Sequence, residues 1–305
     1  MKVVVSGSTG LIGSALVPLL SNAGHEVIRL VRRPSDRGQA VAAWDPEAGT
    51  LDRAALEGAG AVVHLAGEDI AGGRWTAAKK ARIRDSRVQG TALLAGALAS
   101  LARPPAVFAG ASAVGYYGDR GDELLDEDSP PGAGFLAAVC RDWEAAAGPA
   151  AAAGARVLHL RFGVVLSAAG GALAKMLPAF RMGMGGPIGS GRQFVSWVAI
   201  DDAVRAIVHL LSAETARGPV NVVAPNPVTQ ADFARALGRV LGRPTVMPMP
   251  AFGARLMFGE LADEALLASQ RLAPARLAAS GFSFRFPALE PALRHLVGSS
   301  PMGER

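Results

Sequence analysis

Val3-Val4-Val5-Ser6-Gly7-Ser8-Thr9-Gly10-Leu11-Ile12-Gly13 is the stretch that decides the fold. The β-branched run Val3 to Val5 suits a strand buried on both faces. It breaks into a glycine turn, after which Leu16, Leu19 and Leu20 recur at helix spacing. A second strand, Glu26-Val27-Ile28-Arg29-Leu30-Val31, follows and ends on Arg32-Arg33-Pro34. Strand, glycine turn, helix, strand is the setting in which glycine spacing predicts a dinucleotide site. Gly7 lets the chain turn sharply, Gly10 removes the side chain that would block a pyrophosphate, and Gly13 lets the helix pack close to the strand. Ser8, Thr9, Leu11 and Ile12 complete the turn, where a helix N-terminus offers free N–H groups and a positive dipole end. The spacing is G-x-x-G-x-x-G rather than the commoner G-x-G-x-x-G, and the bland alternative is a structural turn without a ligand.

The end of the second strand speaks to cofactor choice. An NAD site usually carries a carboxylate there for the ribose 2′-hydroxyl. Here stand Arg32 and Arg33, two guanidiniums that can clasp a 2′-phosphate bidentately. NADP(H) is therefore expected over NAD(H), with Asp36 out of reach beyond Pro34. Two solvated surface charges are the structural alternative.

Further strands follow in alternation with helices. Ala61 to Gly67 reads as a buried strand ending in a glycine turn, which puts Leu65, Ala66 and Gly67 at a carboxyl end, near the cofactor. His64 inside that strand is expected to be a packed, hydrogen-bonded residue. Trp44-Asp45-Pro46 is expected in a loop, and Thr76 to Leu98 in a long helix carrying Lys79-Lys80-Ala81-Arg82-Ile83-Arg84. Ala106 to Ser112 is another strand, with Ser112 at its carboxyl end, and a helix runs from Phe135 to Ala147. Ala155 to Leu166 is a further strand with its exit turn. The alternation predicts an α/β fold, a Rossmann doubly wound parallel sheet. Beyond Leu166 the composition shifts. Asp201 and Thr229 are expected to cap helices, and the chain is expected to be helical from Pro248 to about Ser280. The expected organisation is a Rossmann domain over 1–230, with 167–200 contributing to the substrate side, and a smaller C-terminal substrate lobe over 231–305.

Composition narrows the classes. At 305 residues and 50% hydrophobic, the chain can bury a sizeable core. One cysteine, Cys140, excludes an internal disulfide and any thiolate metal cluster, and fits a cytoplasmic protein with no metal. The first residues read as a strand rather than a leader, and no apolar run suggests a membrane span. A net charge of +5 could suit nucleic acid, but scattered arginines and only two tyrosines argue against it. A small-molecule substrate and a monomer or homodimer are expected.

Several motifs together resemble the extended short-chain dehydrogenase/reductases. They are Gly7-x-x-Gly10-x-x-Gly13, Val62 to Gly67, Ser112 before Tyr-Gly, and Trp197-Val198-x-Ile200-Asp201-Asp202. Trp75 with Ser86-Arg87, Ser112 to Gly118, Trp143-Glu144, Arg161 to Leu166 and Gly185 to Gly191 resemble one atypical branch. Its members are NAD-dependent epimerase/dehydratase-like epimerase family proteins, some carrying the label of SulA-type cell division inhibitor. Residues 248–297 resemble the C-terminal domain of unknown function that closes that branch. The resemblance implies the Rossmann fold, and implies that Arg82, Arg87, Ser112, Arg161, Gly163 and Val164 lie at the cofactor. The wider superfamily uses a Tyr-x-x-x-Lys pair on the helix after the Ser strand. This chain has Phe135 and Val139 there, and no Tyr-x-x-x-Lys anywhere.

Two functions follow. The first is an oxidoreductase or nucleotide-sugar epimerase-like enzyme using NADP(H), with Ser112, Tyr116 and Tyr117 as catalytic candidates. The second is a non-catalytic NADP(H)-binding regulator or sensor, which the missing pair favours. Ser112 and the glycine-dense Gly183 to Gly191 loop, similar to a substrate lid, favour the enzyme.

Overall fold

The computed structural model describes residues 1–32 and 40–298. Its central sheet has eight strands: β1 Lys2–Ser6, β2 Glu26–Val31, β3 Val41–Asp45, β4 Thr50–Leu51, β5 Ala61–His64, β6 Val107–Ala113, β7 Arg156–Phe162 and β8 Gly218–Val222. Their order is β8-β7-β6-β5-β1-β2-β3-β4, and every neighbouring pair is parallel except β3 with β4. The chain thus runs outward from β1 in one direction, returns, and runs outward in the other. The order reverses between β1 and β5, and in such sheets ligands bind at the carboxyl ends beside that switch.

Ten helices accompany the strands among the described residues: α1 Leu11–Asn22, α2 Ala77–Ala99, α3 Phe135–Ala145, α4 Gly148–Ala152, α5 Gly171–Arg181, α6 Ile200–Ser212, α7 Gln230–Leu241, α8 Ala251–Phe258, α9 Ala275–Ala279 and α10 Leu289–Gly298. Strand alternation sorts them to two faces. Val3, Val5, Val63 and Ala109 pack under α1 and α6 through Leu16, Leu20, Ile207 and Leu210. Val4, Val62 and Phe108 point the other way, against Leu94 and Leu98 of α2 and Ala150 of α4. A further cluster joins Leu173 and Leu177 of α5, Phe233 and Leu237 of α7, and Leu293 of α10.

Three expectations change. Trp44 and Asp45 lie in β3 rather than a loop, because alternate residues Ala42 and Trp44 bury against the α2 face. Asp201 does not cap α6. The helix starts from Ala199 without a side-chain cap, while the Asp202 carboxylate accepts the Arg285 and Phe286 amides at 2.9 and 2.8 Å. Residues 248–280 are not one helical run. Gly259, at φ +62°, ends α8; a π-helical turn Ala262–Leu266, a strand Arg271–Leu272 and Pro274 follow before α9. Thr229 does cap α7, accepting the Asp232 amide at 3.1 Å.

Candidate cofactor and active site

The glycine turn sits at the switch between β1 and β5. Gly7 adopts φ +67°, and a Cβ there would lie 2.6 Å from the Leu65 carbonyl carbon where β5 exits. A Cβ on Gly13 would lie 2.2 Å from the Gly7 oxygen, so only glycine lets α1 start this close to β1. Gly10 differs. Its amide closes the turn on the Gly7 carbonyl at 3.0 Å, and a Cβ there would meet only that oxygen, at 3.3 Å, and otherwise open space. Thr9 and Gly10 are exposed, α1 has no side-chain cap and no acid in its first turn, and the Leu11 and Ile12 amides have no acceptor among the described residues. This cradle fits a pyrophosphate. Ser8 beneath it accepts from Arg29 Nε of β2 at 3.0 Å.

Arg32 is exposed just beyond β2, whose register pairs Leu30 with Ser6 and so brings the two strand exits level. Arg33 lies outside the described residues. Leu65, Ala66 and Gly67 follow β5 at the rim of the turn. His64 is fully buried and bonded through Nδ1 to Ser6 Oγ at 2.6 Å, and burial pushes its pKa down to about 4.

The basic cluster on α2 divides. Lys79 is buried and donates to Glu68 Oε1 at 2.7 Å, a bond that holds the Glu68 carboxyl below its usual range. Arg82 is largely exposed, 3.7 Å from the same carboxylate. Arg87 donates to the Glu68 and Ile83 carbonyls at 3.1 and 3.0 Å and covers the Trp143 ring, clamping the loop after β5.

Ser112, Tyr117 and Arg161 come together around Glu144, half of the Trp143-Glu144 motif, and Asn221, which no motif singled out. Ser112 Oγ donates to Glu144 Oε1 at 2.7 Å. Arg161, beside Ser112 in register, grips both Glu144 oxygens at 2.8 Å and donates to the Tyr117 hydroxyl at 2.9 Å. Tyr117 donates onward to Asn221 Oδ1 at 2.8 Å. Burial alone would lower the Arg161 pKa, but Glu144 raises it, whereas burial pushes the Tyr117 phenol up to about 12. Tyr117 is fully buried. Tyr116 is half-buried with the Arg161 guanidinium 3.5 Å from its ring centroid, and its hydroxyl has no hydrogen bond among the described residues. Cys140 is packed beneath Ala113, its thiol pushed up to about 11 by burial.

Gly163 permits close packing, since a Cβ there would lie 2.5 Å from the Ser196 oxygen. Val164 donates its amide to that same carbonyl at 2.9 Å. The Gly183 to Gly191 segment is stitched down: Ile188 N–H donates to Gln230, Gly189 N–H to the Met249 carbonyl, and Met249 N–H to Pro187.

A family model described as the NAD dependent epimerase/dehydratase family matches residues 3–223. The chain belongs to that family. A domain of unknown function, DUF1731, matches residues 249–296 of this epimerase-family chain. An epimerase family protein of Mycobacterium bovis is 46% identical over 291 residues, 95% of this chain and 96% of the relative. The crystal structure of the human epimerase family protein SDR39U1 (isoform 2) with NADPH superposes with a TM-score of 0.90 at 37% identity, over 98% of this chain and all of the other. UDP-N-acetylglucosamine 4-epimerase from Bacillus cereus, at 17% identity and a TM-score of 0.76 over 97% and 98% of the two chains, shares the fold. Among the described residues, no helix is long and apolar enough to cross a membrane.

Position 135 on α3 is a phenylalanine and Val139 is buried, so this family member lacks the phenol and ammonium of the wider superfamily. Glu68 and Asn221 carry no sequence motif, and the role of Glu144 depends on partners 32 and 17 residues away. Only the Trp143-Glu144 pair left a trace, as a family motif.

Proposed function

We propose that this protein binds NADP(H) at the exits of β1 and β5 and acts as an oxidoreductase or epimerase-like enzyme on a small carbonyl-bearing molecule. The observation that carries the reading is the open cradle at Gly10 with its unpartnered Leu11 and Ile12 amides. The NADPH in the human SDR39U1 crystal structure supports the same cofactor. When bound, NADP(H) supplies or accepts the hydride.

In this reading Gly7 to Gly13 hold the pyrophosphate, Arg32 and Arg33 clasp the 2′-phosphate, and Leu65, Ala66 and Gly67 wall the ribose side. Arg82 approaches the phosphates, and Arg87 holds the wall in place. Ser112, Glu144, Arg161 and Tyr117 form a rigid floor, with Gly163 and Val164 beside it. Tyr116 is the member of the Ser112, Tyr116, Tyr117 trio left to touch substrate. The free, buried Cys140 suits a reducing cytoplasm, and the site needs no more than a monomer or homodimer.

Measuring NADPH oxidation against a panel of carbonyl compounds and nucleotide sugars tests the function. Turnover with at least one member is expected. Tight NADPH binding with no turnover on any member sinks the enzyme reading in favour of a sensor.

A further inference from the structure

We propose that Lys80 is the proton donor of this site, held in place by Glu260 and the ring of Phe135. The proposal rests on the enzyme reading above. Lys80 stands in the first turn of α2, where the N-termini of α2 and α3 converge. Its Nζ lies 4.5 Å from the centroid of the Phe135 ring and donates to Glu260 Oε1 at 2.6 Å. Trp75 packs edge-on against the same ring, with centroids 5.2 Å apart.

The C-terminal segment builds this seat. Glu264, one turn beyond Glu260, accepts the Phe135 and Leu136 amides at 3.0 and 2.9 Å and so caps α3, which has no side-chain cap at its own N-cap residue. Gly115, one residue before Tyr116, abuts this first turn; a Cβ there would meet Leu136 Cβ at 3.2 Å. The Lys80 ammonium and the backbone beside Tyr116 therefore both abut the start of α3.

An ammonium carries three N–H bonds. Glu260 takes one, the ring face balances charge without accepting a proton, and no other partner exists among the described residues. The Lys80 and Glu260 side chains remain 30% and 41% exposed. An ion pair this open adds little stability, a weak reason to gather two carboxylates, an ammonium and two aromatic rings. Lys79 next door is the contrast: buried, and committed to Glu68. Tyr117 and Ser112 are committed as well.

In the step, the substrate's carbonyl carbon gains the hydride from NADPH and its π pair moves onto oxygen. That oxygen takes a proton from Lys80 Nζ, so one N–H bond breaks and one O–H bond forms. An alcohol and a neutral amine result, and the amine regains its proton from solvent at the open side of the pair.

Lys80→Arg separates this role from a tether. Arginine keeps the charge, the ring contact and the Glu260 contact, but its guanidinium does not release a proton. With the best carbonyl from the panel, Lys80→Arg and Lys80→Met are both expected to lose roughly 100-fold or more in kcat, while NADPH Kd by fluorescence stays within about twofold. Lys80→Arg retaining about a third or more of wild-type kcat overturns the proposal and leaves the pair a tether. Tyr116→Phe abolishing turnover while Lys80→Arg stays active moves the donor to Tyr116 and overturns it too. A wild-type protein that reduces no carbonyl fails the enzyme reading itself, an outcome distinct from an active wild type with an active Lys80→Arg.

Discussion

Glu144 ties Ser112 to Arg161: it receives the Ser112 hydroxyl and two N–H groups of the Arg161 guanidinium. Both partners of this ion pair are buried, with side-chain exposures of 12% and 3%. Glu144→Ala leaves Arg161 charged and uncompensated, so a loss of about 3–5 kcal/mol is expected in urea unfolding. Ser112→Ala removes one neutral donor to a charged acceptor and should lose only about 1–3 kcal/mol. His64 gives a pH dependence with a definite sign. The unfolded chain takes up its proton near the model-peptide value of 6.5, the folded protein only near 4. Between those values the unfolded state holds more protons, so stability is complete above the upper value and falls as pH drops, by about 3 kcal/mol in all. Urea titrations across that window should show the slope, and His64→Gln should flatten it; an unchanged slope contradicts the assignment. His64 as a packed, bonded residue was legible from its place in an apolar strand. Glu144 was visible only within the Trp143-Glu144 family motif; its role was not, because its partners Ser112 and Arg161 are set 32 and 17 residues away by the crossover to α3 and back.

At the scale of elements, the glycine turn was legible because all its constraints are local: a strand end, a tight turn and a helix start within a dozen residues. The three glycines nevertheless do different work, which fixes the outcome of substitution. Gly13→Ala drives a methyl into the Gly7 carbonyl, and the expected result is a loss of stability of about 1–3 kcal/mol in thermal or urea unfolding. Gly10→Ala meets only one oxygen at 3.3 Å. It should leave Tm nearly unchanged and weaken NADPH binding by about tenfold or more, since the methyl occupies the pyrophosphate's approach. A stable Gly10→Ala protein with wild-type affinity would place the cofactor elsewhere. The α3 start at Phe135 was legible, but what caps it was not. Its cap, Glu264, comes from 129 residues further along and from a π-helical turn without a sequence signature. Strand β3 was hidden for a related reason: its burial depends on Trp44 meeting the α2 face, which local periodicity over five residues does not reveal.

At the scale of the whole molecule, the doubly wound sheet followed from alternation, since each apolar run of four to seven residues is a buried parallel strand and each longer periodic stretch a crossover helix. The 248–280 region resisted because Gly259 and Pro274 interrupt an otherwise helical pattern with segments that bury only against the rest of the chain. These pieces place Glu260 and Glu264 over the starts of α2 and α3. The central claim concerns the N-terminal turn and the strand beside it: a dinucleotide with a 2′-phosphate binds there, its phosphate met by Arg32 and Arg33. Fluorescence titration of the protein with NADPH and with NADH tests it most directly. The account predicts a Kd for NADPH at least about tenfold lower, a preference that Arg32→Ala reduces; equal affinities, or a preference for NADH, would contradict it.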